Sequence, residues 1–282
     1  MKSLHLKLPH SIWDALEKRQ LATGEPIYHI AREALANHLE IEHNTLFQVS
    51  TSSALVEGIY RGAVTIGHLR EHGDFGLGTF EGLDGEMIAC DGDFYQVRSD
   101  GTVRIAANED LSPFAVVTRF QPEESFELPE CPRLDALLTE LDRYRDSANV
   151  FYAIRIDGRF STVHTRAMCR TSEGVPLVVA AAHQPEFSMR DTVGTMAGFW
   201  SPQYTKTIEI PGYHLHFITE LRDAGGHVLE CSGSRLRVQL QQVNELRLAL
   251  PENEEFLKAD LSLDPGADLD SAEKSQPKKR ER

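Results

Sequence analysis

Three histidines in the last third of the chain have the spacing of metal ligands. His214 and His216 lie two residues apart in the segment GYHLHF at 212–217, and His227 follows two glycines at 225 and 226. Side chains two residues apart on a strand share one face, so the first two imidazoles should stand side by side. Neutral imidazole binds zinc, copper, nickel and iron. A third histidine completes the ligand set of a catalytic zinc that keeps one position open for water or substrate.

The distance along the strand limits how His227 can join this pair. With a tight turn at 222–226 between fully paired strands, His227 would lie roughly 16 Å from His216, at about 3.3 Å per residue. The loop must therefore begin soon after Phe217, which brings His227 opposite this part of the strand. Without that arrangement, the two histidines would be a polar patch on a half-buried strand.

A second metal hypothesis uses a carboxylate in place of the third histidine. His214, His216 and Glu220 resemble the first metal motif of the cupin family. The second cupin motif requires a histidine on a later strand, and no histidine follows His227 in the sequence. A cupin-like metal enzyme is therefore an alternative with half of its pattern missing.

Composition limits the classes of protein that can carry this site. The chain has 282 residues, 41% of them hydrophobic, and a formal net charge of −14. This balance is typical of a folded protein and argues against one that mainly coats nucleic acid. The longest apolar run, Val175–Ala182, is too short to cross a bilayer. Four cysteines without a C-x-x-C pair indicate reduced thiols, so we expect a soluble, cytoplasmic protein without membrane contact.

The elements that must position the histidines begin after a separate N-terminal segment, residues 1–43. Leucines at 4, 6 and 8 alternate with polar residues and predict a short strand that Pro9 ends. A helix is predicted from Ser11 to Thr23, ending at Gly24. Apolar residues from Ile27 to Leu39 recur at helical spacing and predict a second, amphipathic helix. So small a unit cannot bury its own apolar faces, so it should pair with a second copy or dock on the rest of the chain.

This order of one strand and two helices resembles the ribbon-helix-helix family of DNA-binding proteins. The resemblance implies a homodimer whose paired ribbons present Ser3, His5 and Lys7 to a DNA groove. The segment carries five basic and six acidic side chains, which supplies little of the phosphate neutralisation that DNA binding needs. DNA is therefore a candidate partner that the charge does not favour, and a dimerisation arm is the alternative.

The sequence of the rest of the chain predicts two β-rich halves. Glycines punctuate the segment from 58 to 92, as is typical of short strands and tight turns. Leucines at helical spacing from Leu134 to Leu141 predict one helix between the halves. Further strands are predicted at 150–156, 160–166, 177–182, 192–199, 213–219, 228–231, 236–243 and 246–250. We expect subdomains at 44–145 and 146–262, the second carrying the metal site, and a polar, partly disordered tail at 263–282.

Four separated segments resemble the α-acetolactate decarboxylase family, in that family's order and over about residues 45 to 262. They are GDFGLGTF at 73–80, LDGE at 83–86, FYAIRIDG at 151–158, and the histidine segments at 212–217 and 225–228. The resemblance and the pattern together imply an α+β, mainly β fold. It would comprise a mixed sheet and a small barrel-like sheet, preceded by the ribbon-helix-helix-like module.

The same resemblance implies functions for individual residues. His214, His216 and His227 correspond to the zinc ligands of the family. Active-site positions of the family fall on Glu86, Arg166 and Thr79, the last as a substrate contact. The family also brings a C-terminal glutamate to the metal. Glu273 is the best candidate for that glutamate, with Glu281 as the alternative.

The implied reaction is the decarboxylation of 2-acetolactate to acetoin, with Zn²⁺ acting as a Lewis acid on the ketone and hydroxyl oxygens. Arg166 would orient the carboxylate and is one candidate proton donor. Glu86 and the C-terminal glutamate would hold the hydroxyl or transfer a proton. The alternative from another class is a DNA-binding regulator whose decarboxylase-like part senses acetolactate or acetoin.

Overall fold

The N-terminal unit consists of two helices. The computed structural model describes residues 5–39 and 45–273, and the chain divides into compact units at 1–43 and 44–282. Helix α1 (His10–Thr23) ends at Gly24, whose φ of 78° is the left-handed conformation that glycine favours. Helix α2 (Ile27–His38) follows. Both helices were predicted.

The predicted ribbon is not formed in the described part of this unit. Residues 5–9 adopt no strand, and Ser3 and Leu4 lie outside the described residues. A ribbon strand needs a second strand to hydrogen-bond with, and a single chain supplies none here. His5 and Lys7 are exposed in this segment.

A seven-stranded mixed sheet forms the first layer of the second unit. In spatial order it contains β14 (Glu245–Ala249), β1 (Thr45–Val49), β8 (Ala115–Thr118), β3 (Phe75–Thr79), β4 (Glu86–Cys90), β5 (Asp93–Val97) and β6 (Val103–Ile105). The pairing of β1 with β14 is parallel, whereas the other pairings are antiparallel. The short strands β2 (Val64–Thr65) and β7 (Leu111–Ser112) pair separately.

The second sheet closes on itself. It contains β9 (Glu124–Cys131), β10 (Phe151–Arg166), β11 (Glu186–Ser201), β12 (Gly212–Thr219) and β13 (Gly225–Val243). Strands β10 to β13 pair in sequence, and β13 also pairs with β10, which makes the barrel-like sheet that the sequence predicts. Several predicted strands merge, because β10 and β13 continue through 16 and 19 residues with bulges in their mutual register.

The two sheets do not follow the boundary expected at residue 145. Strand β9 precedes that boundary but joins the second sheet, and β14 lies far beyond it but joins the first. Apolar side chains from both sheets pack together in one core, which includes Leu77 and Phe114 from the first layer and Ala197 and Ile218 from the second. The sheets are therefore two layers of one body.

Eight helices occur among the described residues, and two of them lie where the sequence predicted another structure. Besides α1 and α2 they are α3 (Ser52–Val56), α4 (Ile66–His72), α5 (Leu134–Tyr144), α6 (Leu177–Ala181), α7 (Glu254–Lys258) and α8 (Gly266–Glu273). Short 3₁₀ turns occupy Glu81–Leu83 and Gln203–Thr205. The strand predicted at 177–182 is α6, which follows the N-cap residue Pro176, whose carbonyl accepts from the backbone N–H groups of Val179 and Ala180. No helix in the described ranges is long and apolar enough to span a membrane.

The tail expected to be polar and partly disordered contains α8. Leu269 and Ala272 are each about 2% exposed and belong to the core shared by the two sheets. These two residues lie three positions apart, so they share one helix face. Residues 274–282 lie outside the described part of the chain. The C-terminal helix therefore belongs to the folded body.

Candidate metal centre

Adjacent strands bring the three histidines together. His214 and His216 lie on β12, and His227 on β13 is the register partner of His216. The chain turns between Thr219 and Ala224, whose backbone N–H and C=O groups bond to each other, so the loop begins soon after Phe217 as expected. All three imidazoles are at most 7% exposed.

A glycine sets the position of His227 against β10. Gly226 has φ 131°, and a Cβ at this position would lie 2.5 Å from the carbonyl oxygen of Arg166. Only glycine permits this conformation and this close approach. As a result, His227 pairs directly with Arg166 across β13 and β10.

The end of α5 holds the beginning of β12. The Tyr213 hydroxyl donates to Asp142 at 2.7 Å and accepts from Nε of Arg145 at 3.0 Å. The guanidinium of Arg145 lies 3.4 Å from the centre of the Trp200 ring. Because Tyr213 adjoins His214 in sequence, these contacts fix the strand that carries two of the histidines.

The nitrogen atoms of the three rings form a compact donor set. One ligand atom from each histidine lies within 4.8 Å of the others, and Nε2 of His214 is 3.1 Å from Nε2 of His216. Two zinc–nitrogen bonds of 2.0–2.1 Å at a tetrahedral angle would separate their nitrogens by about 3.3 Å. His216 donates from Nδ1 to the carbonyl of Met87 at 2.8 Å, which leaves its Nε2 as a ligand.

Burial keeps the first two histidines in the neutral form that binds metal. Desolvation, together with the positive charge of Arg166, lowers the pKa of His214 to about 3. Desolvation and then the charge of His214 lower the pKa of His216 well below its usual value, against the opposing bond to Met87. The residues present therefore fit a divalent metal such as zinc.

Glu86 is the carboxylate beside the histidines. It begins β4, is 6% exposed and accepts a hydrogen bond from the backbone N–H of Met168 at 2.9 Å. Its other oxygen lies 3.5 Å from Nε2 of His216. The bond to Met168 fixes one oxygen and leaves the second facing the imidazole donors.

Arg166 and α8 form the adjoining wall. Arg166 ends β10 and its guanidinium donates to the carbonyl oxygen of Ala272 in α8. Both residues line the cavity that contains the histidines. Glu273 is the last residue of α8, and its side chain lies outside the described part of the structure, as does Glu281. The candidate C-terminal glutamate therefore follows directly on a residue of the cavity wall.

Thr79 also lines the cavity, but its hydroxyl hydrogen is already used. It donates to the carbonyl of Gly85 at 2.7 Å. Thr79 and Glu86 are register partners on β3 and β4, so this bond shapes the turn that leads to Glu86. Towards a ligand, the hydroxyl remains an acceptor.

The cavity is small and largely apolar apart from these groups. Its volume is about 40 Å³, room for roughly three waters or a compact ligand. The apolar part of its lining comes from Leu55, Leu83, Phe114, Met168, Leu177, Ala181 and Ile210. Gln184 contributes a polar side chain that no sequence pattern singled out, because it lies in the loop between α6 and β11.

The cupin-like hypothesis is wrong. Glu220 is exposed in the turn after β12 and is absent from the residues that line the cavity. The strand ends at Thr219, so position 220 does not continue the face that carries His214 and His216. The third histidine of the site is His227.

A closed β sheet packed on a mixed sheet, with three buried imidazoles that could hold a metal beside a carboxylate and a guanidinium, defines an α+β protein with a candidate metal site. A sequence model described as alpha-acetolactate decarboxylase matches residues 46–263. The chain therefore belongs to the alpha-acetolactate decarboxylase family and is a carboxy-lyase.

Relatives cover nearly the whole second unit. The alpha-acetolactate decarboxylase of Bacillus licheniformis is 42% identical over 230 residues, which are 81% of this chain and 91% of the relative. That of Methanosarcina mazei is 41% identical over 82% of this chain and 81% of its own length. The crystal structure of the Bacillus subtilis strain 168 enzyme superposes with a TM-score of 0.80, covering 82% of this chain and all of that one at 39% identity.

Proposed function

We propose that the chain is a zinc-dependent enzyme that decarboxylates 2-acetolactate to acetoin. Family membership supports acetolactate decarboxylase activity, and the zinc dependence is inferred from the site. The observation that carries the inference is the cluster of three buried imidazoles within reach of one ion, beside Glu86. Three histidines with an open fourth position are a usual ligand set for catalytic zinc.

Zinc bound to His214, His216 and His227 would supply positive charge that stabilises negative charge developing on substrate oxygens. The chain itself binds and orients the substrate. Arg166 is the cation of the cavity wall and offers paired N–H donors to the carboxylate. Its bond to Ala272 fixes the guanidinium against α8, so the carboxylate is received in a defined direction.

Proton transfer falls to a carboxyl group in this proposal. When the bond to the carboxylate carbon breaks, the carbon that remains keeps the electron pair and takes up a proton, giving acetoin and carbon dioxide. Glu86 presents one oxygen to the site and can hold the substrate hydroxyl or carry that proton. Arg166 is the alternative donor of this proton. We place Glu273 as the C-terminal glutamate of the site and Thr79 as a substrate contact.

The apolar lining limits water at the reacting carbon. Leu83, Phe114 and Met168 surround the polar groups and exclude bulk solvent from the cavity. In a site of low polarity, the charge of Arg166 acts more strongly on the substrate than it would in water.

The proposal also covers assembly and location. The N-terminal unit exposes large apolar side chains at Leu6, Ile12, Leu21, Tyr28, Leu35 and Leu39, and α1 has no buried residue. A second copy would cover this apolar surface, so we assign residues 1–43 to homodimer formation. Deleting them should change the mass measured by light scattering from that of two chains to that of one. A particle that still contains two chains would contradict the assignment.

The four free thiols support a cytoplasmic location.

The regulator alternative requires DNA binding by the same unit. An electrophoretic shift assay with the DNA upstream of the gene separates the two possibilities. A salt-dependent shift at micromolar protein, lost on substitution of Lys7, would assign DNA to the N-terminal unit.

A histidine substitution tests the proposed function. His216→Ala should lose both bound zinc, measured by mass spectrometry of the purified protein, and acetoin production from acetolactate. His72→Ala is the matched control, because His72 stacks on Phe47 in the first sheet and does not line the cavity. Acetoin production at the wild-type rate by His216→Ala would overturn the proposal.

A further inference from the structure

A second, larger cavity adjoins the metal-site cavity and shares part of its lining. The outer cavity has a volume of about 850 Å³, against about 40 Å³ for the inner one. Three residues line both: Arg166, Ala181 and Gln184. Ala181 contributes only a methyl group, so Arg166 and Gln184 are the polar side chains where the two cavities meet, a place that we call the passage.

Gln184 is held in place by its neighbours but retains hydrogen-bonding capacity. Its Nε2 donates to the carbonyl of Ala181 at 3.2 Å. Its Oε1 and second amide hydrogen have no partner among the residues that the structure describes. The backbone N–H of Ala167 bonds to the carbonyl of Pro185, which anchors the loop to the end of β10 next to Arg166.

The outer cavity contains carboxylates, so the anionic substrate must be recognised at the passage. Glu186 and Glu230 both line the outer cavity. Glu186 binds Nε2 of His164 at 2.7 Å, and Glu230 accepts from the backbone N–H groups of Leu134 and Cys231. Carboxylates at the mouth of a cavity do not attract an anionic substrate, and the whole chain carries a net charge of −14. Among the residues that line the outer cavity, Arg166 is the one with a permanent positive charge, so it supplies the attraction.

We propose that Gln184 is a specificity-determining residue that binds the substrate carboxylate together with Arg166 at this passage. The inference rests on the proposed function, because the substrate must be a 2-hydroxy-3-keto carboxylate. Arg166 supplies the charge, and the second amide N–H of Gln184 supplies a hydrogen bond to a carboxylate oxygen. The carboxylate departs as carbon dioxide, so the neutral product no longer binds this pair. The pair therefore distinguishes substrate from product.

Kinetics of Gln184→Met tests the inference, because methionine has nearly the same length and cannot hydrogen-bond through an amide. KM for acetolactate should rise roughly tenfold, the value expected for one hydrogen bond to a charged group. The kcat should change by less than about threefold, since the bond is made to the carboxylate already in the ground state. Gln184→Glu should raise KM further, because its charge repels the carboxylate. The inhibition constant of acetoin should stay the same in both variants.

Binding measured without turnover gives an independent readout. By calorimetry, 2-hydroxyisobutyrate should bind the Gln184→Met protein roughly tenfold more weakly than wild type. Gln203→Glu is the matched control for added charge, because Gln203 is exposed and lines neither cavity. Its KM should equal that of wild type.

Two results would contradict the inference, and a third would contradict the proposed function. An unchanged KM in Gln184→Met, with unchanged binding of 2-hydroxyisobutyrate, would overturn the inference. A parallel loss of acetoin and carboxylate binding would also overturn it, because Gln184 would then shape the cavity for every ligand. Absence of acetoin production by the wild-type protein would refute the proposed function instead.

Discussion

Acidification should destabilise the metal-free protein because His214 is buried as a neutral imidazole. In the unfolded chain this histidine has a pKa near 6.5, whereas in the folded protein burial and the charge of Arg166 lower its pKa to about 3. Below about pH 6.5 the unfolded chain takes up a proton that the folded protein excludes. Stability is therefore lost as pH falls through 6.5, and the loss continues down to about pH 3.

The size of the effect follows from these pKa values. At pH 5, which is 1.5 units below the unfolded pKa, His214 alone should cost about 2 kcal/mol relative to pH 8, at 1.36 kcal/mol per unit. The lowered pKa of His216 adds to the loss in the same direction. Urea unfolding of chelator-treated protein at pH 8 and pH 5 measures this free energy.

Comparison with His214→Gln isolates the contribution of this histidine from that of other titrating groups. Glutamine removes the titration and affects packing equally at both pH values. Wild type should lose about 2 kcal/mol more than the variant between pH 8 and pH 5. An identical pH dependence in the two proteins would show that His214 accepts a proton in the folded state, contrary to its burial.

Three further substitutions test how the site is built. A Cβ at Gly198 would lie 2.0 Å from the carbonyl oxygen of His214, so Gly198→Ala should weaken zinc binding at least tenfold in a competition assay, while Gly67→Ala should not. Leu269→Ala should loosen α8, at a cost of about 2–4 kcal/mol, and speed amide exchange over 266–272; protection equal to wild type would contradict the packing of this helix. Glu86→Gln should keep its zinc and lower kcat by roughly 10² or more, and unchanged turnover would exclude proton transfer by Glu86.

Local patterns account for the part of the site that the sequence predicted. The alternation around His214 and His216 places both on one face of a strand, and strand geometry alone required a loop soon after Phe217. Glu86 and Arg166 have no such local signal. Their functions were inferred from family resemblance, and the fold explains their proximity through β4 and β10.

Long-range packing accounts for the structural features that the sequence did not predict. The segment at 177–181 contains two valines, which favour strands, but it forms a helix directly after the N-cap residue Pro176. The segment that forms α8 appeared polar because only Leu269 and Ala272 face the core. The exchange of β9 and β14 between layers depends on pairings more than 100 residues apart along the chain, which no local period records. Gln184 lies in a loop, and its proposed function follows from its position where the two cavities meet, which the sequence does not show.

Zinc titration of the metal-free protein tests the central claim most directly. Acetoin formation from acetolactate should be absent after chelation, rise linearly with added zinc and stop rising at about one equivalent per chain, the capacity of a single three-histidine site. Full acetoin formation by the chelated protein, with no response to added metal, would contradict the assignment of His214, His216 and His227 as the catalytic metal site.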